Sequence, residues 1–395
     1  MKKVLVMHLG ARITFGSVDR NGNIKPSIDR SSGGNECIIL CNMLKECGFD
    51  VSIATKICQK DYLPEEYTFL DVMKMYKDGK FIYDIKKEDY DFILCVNGMP
   101  DNIFGGVEDG AIYNMALYAL MHFYNGPLYY MFVDTGCYFR QLKELLEAKT
   151  TYKWLDKYDL SDLYINPENV TYLSQPRNIE EVKELINKPK SIICNKFKTF
   201  QFEQFPCIIN WGNYTFNENP TYDLIYGGCM RGNKRVEKMV RYYYGYSNDI
   251  RSMMFGNLDQ KVLDKEAIKY GVRKPEFEGK INYSEVFNKL HDSLATVIIV
   301  DKNAENLDHI GARVYESICT NVVTFIDIDA DKSKRIFGNN KLLSSFNYVR
   351  TKKEVEEKLL KLKSDREFRK DIIEEQLKHV NFNMSEYIES LKKCF

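Results

Sequence analysis

Short apolar runs alternate along the chain with stretches in which apolar residues recur every three or four positions. The first pattern suits strands covered on both faces, the second amphipathic helices. In the first half, residues 3–9, 50–55, 92–97, 128–133 and 170–174 read as strands. Residues 35–47 read as a helix, with Ile38, Ile39, Leu40, Met43 and Leu44 on its apolar face and Gly48 as its stop. Residues 111–124, closed by Asn125-Gly126-Pro127, and residues 179–186 read as two more helices. The rhythm restarts in the second half. Strands are predicted at 223–226, 253–255, 295–300 and 322–326, and helices at 233–244, 283–290 and 309–319. Three amphipathic helices, 352–362, 365–379 and 384–393, close the chain. Repeated β-α-β units predict an α/β protein of two doubly wound, Rossmann-like domains. The rhythm breaks near Pro206 to Pro220, where Asn, Gly and aromatic residues gather. The expected organisation is a first domain over 1–206, a linker over 207–220 and a second domain over 221–379, with the last helix, 380–395, packing back on the first. A cleft at the carboxyl ends of the strands, between the lobes, is the expected ligand site.

Composition narrows the function. The 56 basic and 56 acidic residues balance, which disfavours a protein that coats nucleic acid by overall charge and leaves room for a local basic cleft. The mean hydropathy of −0.39 and the lack of a long apolar run exclude a membrane span. The amino terminus runs straight into the first predicted strand and lacks the cleavage site of a signal peptide. Eleven scattered cysteines without a C-x-x-C pair read as free buried thiols in a reducing compartment.

Three segments of the second half point towards a nucleotide. Tyr226-Gly227-Gly228-Cys229-Met230-Arg231-Gly232-Asn233-Lys234-Arg235 is a strand end, a tight turn and a helix start carrying fixed positive charge. Glycines allow close backbone approach to a phosphate, and helix N-termini favour anions. Arg231 and Arg235 lie four apart and share a helical face, so two guanidiniums can grip a diphosphate. A glycine turn before a solvated basic face is the plainer alternative. Arg313 and Glu316 lie three apart on the helix after the 295–300 strand, near Asp301, where an arginine can reach phosphates and a glutamate a ribose. The alternative is a surface ion pair. Glu278-Gly279-Lys280-Ile281-Asn282-Tyr283 is a loop into a helix that can offer backbone groups to a base. In the first half, Asp134 follows the apolar run 128–133, as a general base or as the N-cap of the next helix.

Taken in order, these segments resemble the bacteriophage DNA β-glucosyltransferases. The resemblance is densest in residues 223–235, Phe255-Gly256-Asn257, residues 277–281, 295–302 and 313–317. It extends to Val96-Asn97, Phe104-Gly105-Gly106, residues 129–134, Ser174-Gln175 and Phe202-Glu203-Gln204-Phe205-Pro206. It implies the two-domain glycosyltransferase B fold. It also implies that Asp134 is the catalytic base and that Arg231, Arg235 and Arg313 hold the diphosphate of UDP. Glu316 would then bind the ribose, and Ile281 would meet the uracil with Phe255 and Gly256 nearby. Gly228 and Cys229 would lie at the phosphates, and Glu36 and Glu203 near the donor sugar or the reaction centre. The implied donor is a UDP-sugar, with UDP-glucose the first choice and a divalent metal, Mg2+ or Mn2+, as an accessory. The implied acceptor is double-stranded DNA carrying 5-hydroxymethylcytosine or 5-hydroxymethyluracil, flipped out of the stack. A monomer in the cytoplasm of the infected bacterial host completes the expectation.

Two departures stand out. Cys229 replaces a serine of the family, and a thiol is a weaker donor than a hydroxyl. The loop after Asp134, Thr135-Gly136-Cys137-Tyr138-Phe139, lacks the family's basic, proline-containing character. Lys188, Lys190, Lys196 and Lys198 are a candidate DNA contact, and Asp327-Ile328-Asp329 reads as a turn. The rival functions are a glycosyltransferase of the same fold acting on a saccharide or other acceptor, and a non-catalytic protein that binds nucleotide sugar or DNA.

Overall fold

The computed structural model describes residues 1–8, 17–18, 24–25, 32–55, 66–72, 76–77, 80–96, 116–117, 119–131, 166–174, 196–199, 214–230, 232–269, 272–281, 283–301, 305, 311, 313–380 and 384–395. The chain divides into two compact units. Met1–Cys207 with Asn383–Phe395 form one, and Ile208–Phe382 the other.

The first unit is built on a parallel sheet of strands β1 (Lys3–His8), β2 (Asp50–Thr55), β3 (Thr68–Asp71), β4 (Phe92–Val96), β5 (Leu128–Met131), β6 (Val170–Ser174) and β7 (Lys196–Thr199). Their order across the sheet is β7-β6-β5-β4-β1-β2-β3. Val6 of β1 registers with Ile53 on one side and Leu94 on the other, so β1 is covered on every side and its Val4 to Met7 are fully buried. That explains its unbroken apolar run. Helix α1 (Ser32–Glu46) turns Cys37, Leu40, Cys41 and Leu44 into the core. It stops at Gly48, whose φ of +87° costs a glycine little, with Gly48 N–H donating to the Lys45 carbonyl. The order reverses between β1 and β4.

The second unit repeats the plan. Strands β8 (Tyr222–Cys229), β9 (Ser252–Asn257), β10 (Glu276–Glu278), β11 (Ser293–Ile298), β12 (Val323–Asp327) and β13 (Tyr348–Val349) stand in the order β10-β9-β8-β11-β12-β13, all parallel. The helices are α2 (Gly232–Tyr243), α3 (Gln260–Ile268), α4 (Tyr283–His291), α5 (Arg313–Cys319), α6 (Lys341–Phe346), α7 (Lys352–Ser364) and α8 (Arg366–His379). Their starts follow capping chemistry: Asp259, Asn340, Thr351 and Asp365 each accept a first-turn N–H of α3, α6, α7 and α8. Here the order reverses between β8 and β11, and a crevice forms at such a reversal, at the carboxyl ends of the strands.

The stretch whose composition suggests a linker is, over residues 214–220, seated on the second unit. Arg369 donates to the carbonyls of Asn217 and Glu218 at 3.0 Å each, and its guanidinium lies 4.6 Å from the Phe216 ring. The last helix, α9 (Met384–Lys392), belongs to the first unit, where it packs on α1 and the Cys47 thiol reaches the Ile388 carbonyl. Phe395 stacks on Phe92 at 4.6 Å and meets Phe49 and Tyr129 edge-on. No helix of the described residues is long and apolar enough to cross a membrane.

Candidate functional site

The carboxyl ends of β8 and β9 form one side of the crevice. The register pairs Gly227 with Phe255, Gly228 with Gly256 and Cys229 with Asn257. Two of these glycines are fixed by the protein's own packing. A Cβ on Gly227 would fall 2.2 Å from Cζ of Phe255, and one on Gly256 would fall 1.9 Å from the Gly228 carbonyl oxygen. Gly256 also has φ +118°, where L side chains are strained. Gly256→Ala is therefore expected to cost about 1–3 kcal/mol in backbone strain alone, with the steric displacement of Gly228 added to it. Thermal denaturation checks this, and an unchanged Tm would show that the strand end yields freely.

The Gly279 carbonyl accepts from the Gly256 N–H at 3.1 Å, which draws the loop before α4 against this strand end. Ile281 in that loop packs on the apolar cluster that contains Phe255 and Ile225. The structure thus brings Phe255, Gly256 and Ile281 together. Beside them lies an open cavity of about 590 Å³ lined by Met230, Asn257, Leu258, Asp259, Gln260 and Lys261.

The other side is cationic. Arg235, in the first turns of α2, donates from Nη2 to the Ile299 carbonyl just past β11, at 3.4 Å, while its buried Nε has no hydrogen-bond partner. Arg313 opens α5 and pairs through Nη1 with Oε2 of Glu316 at 2.9 Å. This is no surface pair, because the Glu316 side chain is only 5% exposed. Both guanidiniums act on the buried Tyr226 phenol. Burial pushes the phenol's pKa up, and the Arg235 and Arg313 guanidiniums act against that rise. The Tyr226 hydroxyl donates to the Cys229 carbonyl at 3.3 Å, tying it to the glycine turn. Asp301 is half-buried just past β11, and its carbonyl accepts from the Glu305 N–H. Gly228, Cys229, Arg235, Asp301, Arg313 and Glu316 therefore gather at the carboxyl ends of β8, β11 and α2's start.

Arg231, Asp134 and Glu203 lie outside the described residues. Glu36 falls on α1, with its side chain outside them. The proposed lysine cluster gives one described side chain: Lys198 donates to the Cys394 carbonyl at 2.6 Å and lies 5.6 Å from the Tyr129 ring. Its charge is engaged with the chain's own end. Asp327-Ile328-Asp329 is a turn: Asp327 caps the short 3-10 helix Ile328–Ala330. Both carboxylates meet Lys238 of α2, at 2.6 Å and 3.4 Å, and Glu305 meets it at 2.6 Å. Lys238 and Tyr243, whose ring meets Tyr226 edge-on, went unmarked in the sequence, where they read as members of a helix face.

The crevice suits a nucleoside diphosphate. It offers open strand ends, a guanidinium with a buried, unpartnered N–H, a buried carboxylate and an apolar floor. Among the described residues no group of three or more His, Cys, Asp or Glu side chains is placed to hold a metal ion.

No family model matches the chain. Two parallel-stranded units with helices on their sheets define the glycosyltransferase B class, and solved structures of that class match over nearly the whole length. Phage T4 β-glucosyltransferase in complex with UDP-glucose matches with a TM-score of 0.73 at 22% identity, over 99% of this chain and 98% of that one. The same T4 enzyme in complex with UDP and Mn2+ gives 0.72 at 23% identity, over 99% of each chain. Staphylococcus aureus TarM, in a complex that includes UDP, gives 0.52 at 9% identity. In sequence, the chain is 28% identical over 314 residues to the DNA beta-glucosyltransferase of Enterobacteria phage T4, spanning 79% of this chain and 84% of that protein. Over most of its length the chain is thus similar, in sequence and in fold, to the phage T4 DNA beta-glucosyltransferase.

Proposed function

We propose that this protein transfers a sugar, glucose first among the candidates, from a UDP-sugar to the hydroxymethyl group of 5-hydroxymethylcytosine or 5-hydroxymethyluracil in duplex DNA. The observation that carries this reading is Arg235 reaching the Ile299 carbonyl with its buried Nε unpartnered, together with the pairing of Arg313 with the buried Glu316 at the start of α5 and the paired glycine ends of β8 and β9. It is supported by the match to a relative whose name specifies DNA as acceptor.

Arg235, with Arg231 and Arg313, would neutralise the charge that develops on the departing diphosphate, in a site where fixed donors need no reorganisation. Glu316, held by Arg313, would accept from the ribose hydroxyls. Asp134 would take the proton of the attacking hydroxymethyl oxygen as that oxygen displaces UDP from the anomeric carbon. A single in-line displacement inverts the anomeric centre and gives a β-linkage. A divalent ion bound with UDP would add positive charge at the diphosphate. The target nucleotide must leave the stack to meet Asp134, at a cost of about a few kcal/mol. The setting we propose is a monomer in the cytoplasm of a phage-infected bacterium.

The test is to incubate the protein with UDP-sugars and duplex DNA, with and without hydroxymethylated bases, and to weigh the released nucleosides by mass spectrometry. A hexose added only to hydroxymethylated nucleosides is the expected result. Transfer to none of the modified DNAs would remove DNA as acceptor.

A further inference from the structure

Between the carboxyl ends of β8 and β11 a side chain of α2 stands where a rung of the ladder would be. The two strands pair regularly at Tyr222 with Ser293 and at Leu224 with Ala295, and there the pairing stops. In the continued register the next rung would join Tyr226 to Val297, with the Val297 N–H on the Ile225 carbonyl. That rung is replaced by two hydroxyls. The Val297 N–H donates to Oη of Tyr243 at 2.8 Å, and Tyr243 Oη donates to the Val297 carbonyl at 2.7 Å. The Ile225 carbonyl accepts from Oγ1 of Thr296 at 2.7 Å. One phenol, fully buried at the last position of α2, thus satisfies both backbone groups of a residue that has lost its neighbour strand. Just past it, the Ile299 carbonyl accepts from Arg235.

We infer that Tyr243 is a positioning residue for the donor nucleotide: its hydroxyl keeps the ends of β8 and β11 apart, and so sets the width of the crevice that Arg235 spans. The inference rests on the donor reading given above. Two further contacts support it. The Tyr243 ring meets Tyr226 edge-on at 5.3 Å and 70°, and the Tyr226 hydroxyl donates to the Cys229 carbonyl of the glycine turn at 3.3 Å. Without the phenol oxygen, Val297 must recover its hydrogen bonds from β8 or from water, because buried backbone groups left unpaired are costly. Closing the rung would pull the strand ends together, and admitting water would loosen them. Either outcome moves the Ile299 carbonyl and the arginine bound to it.

The experiment is to measure UDP binding by isothermal titration calorimetry for the wild type, Tyr243→Phe and Tyr246→Phe. Tyr246 is the matched control: it is a buried phenol of the same unit, donating to the Tyr242 carbonyl at 2.6 Å. Tyr243→Phe should weaken UDP binding about tenfold or more. Tyr246→Phe should lower the Tm and leave the affinity within about twofold, the ordinary behaviour of sites that share no partners. If Tyr243→Phe folds and binds UDP like the wild type, the inference is wrong and the donor reading stands. If the wild type itself binds no UDP, the donor reading falls first and takes the inference with it. Should Tyr243→Phe fail to fold, Thr296→Val carries the same test, since it removes the other hydroxyl of the missing rung. A Thr296→Val protein with wild-type affinity would then overturn the inference.

Discussion

Lys238→Met should cost the second unit about 3–5 kcal/mol, as expected when one partner of a buried ion pair is removed. The side chain of Lys238 is 1% exposed, and those of Glu305 and Asp327 are 1% and 2% exposed. Methionine fills a similar volume but leaves two buried carboxylates without this counter-charge, and Asp329 adds a third negative group at the edge. A neutral cavity would cost less than this uncompensated charge. Urea denaturation of the two proteins gives the difference directly, and a loss under about 1 kcal/mol would mean the carboxylates find protons or water instead. The pH dependence has a definite sign. Burial alone pulls the ammonium's pKa down, but the hydrogen bonds and charges of Asp327 and Glu305 more than reverse it, so the group titrates above its ordinary 10.5. A cation whose pKa is raised by folding gives its full stabilisation below the unfolded value and loses it as pH rises through the folded one. The gap between wild type and variant should thus persist across the neutral and mildly alkaline range and narrow only above pH 10.5.

Asp134→Asn should lower turnover about 10²- to 10⁴-fold, the usual contribution of a general base. UDP binding should stay near the wild-type value, because the residues proposed to hold the diphosphate and ribose belong to the second unit. The substitution also separates the two roles that the sequence allows this residue. Asparagine caps a helix as well as aspartate does, so a pure cap would leave the rate almost untouched. As a base, however, asparagine cannot take the acceptor's proton. Single-turnover transfer to hydroxymethylated duplex DNA is the measurement, and a rate within about threefold of wild type would assign Asp134 to capping.

The alternation of parallel strands and helices was legible because buried strands write themselves as apolar runs. Asp50–Thr55 and Val170–Ser174 match the sequence reading residue for residue. Elements at the sheet margins were not legible. Lys196–Thr199 and Glu276–Glu278 alternate charged and apolar residues at the ends of their sheets, and the second reads equally well as a loop. Helix α3 was missed although Asp259 supplies a cap signal, because its apolar face is narrow: only Leu263 and Ala267 are buried. In the site, Arg313 and Glu316 were readable because their spacing alone brings them together on a helix. Lys238 was not, since its partners Glu305 and Asp327 lie on other elements far along the chain. Tyr243 was hidden for a related reason. In Tyr242-Tyr243-Tyr244 it looks like one more apolar helix residue, and its meaning depends on a rung missing from a distant strand pair.

The placement of α9 also has a consequence for biosynthesis. Its sheet and α1 emerge from the ribosome first, yet the helix that covers Cys47 follows the whole second unit. At about 5–20 residues per second, the early unit must wait many seconds with an apolar flank bare. During that interval the nascent chain is a natural client for a chaperone, and stalled or prematurely released products should be far more prone to clump than the finished protein.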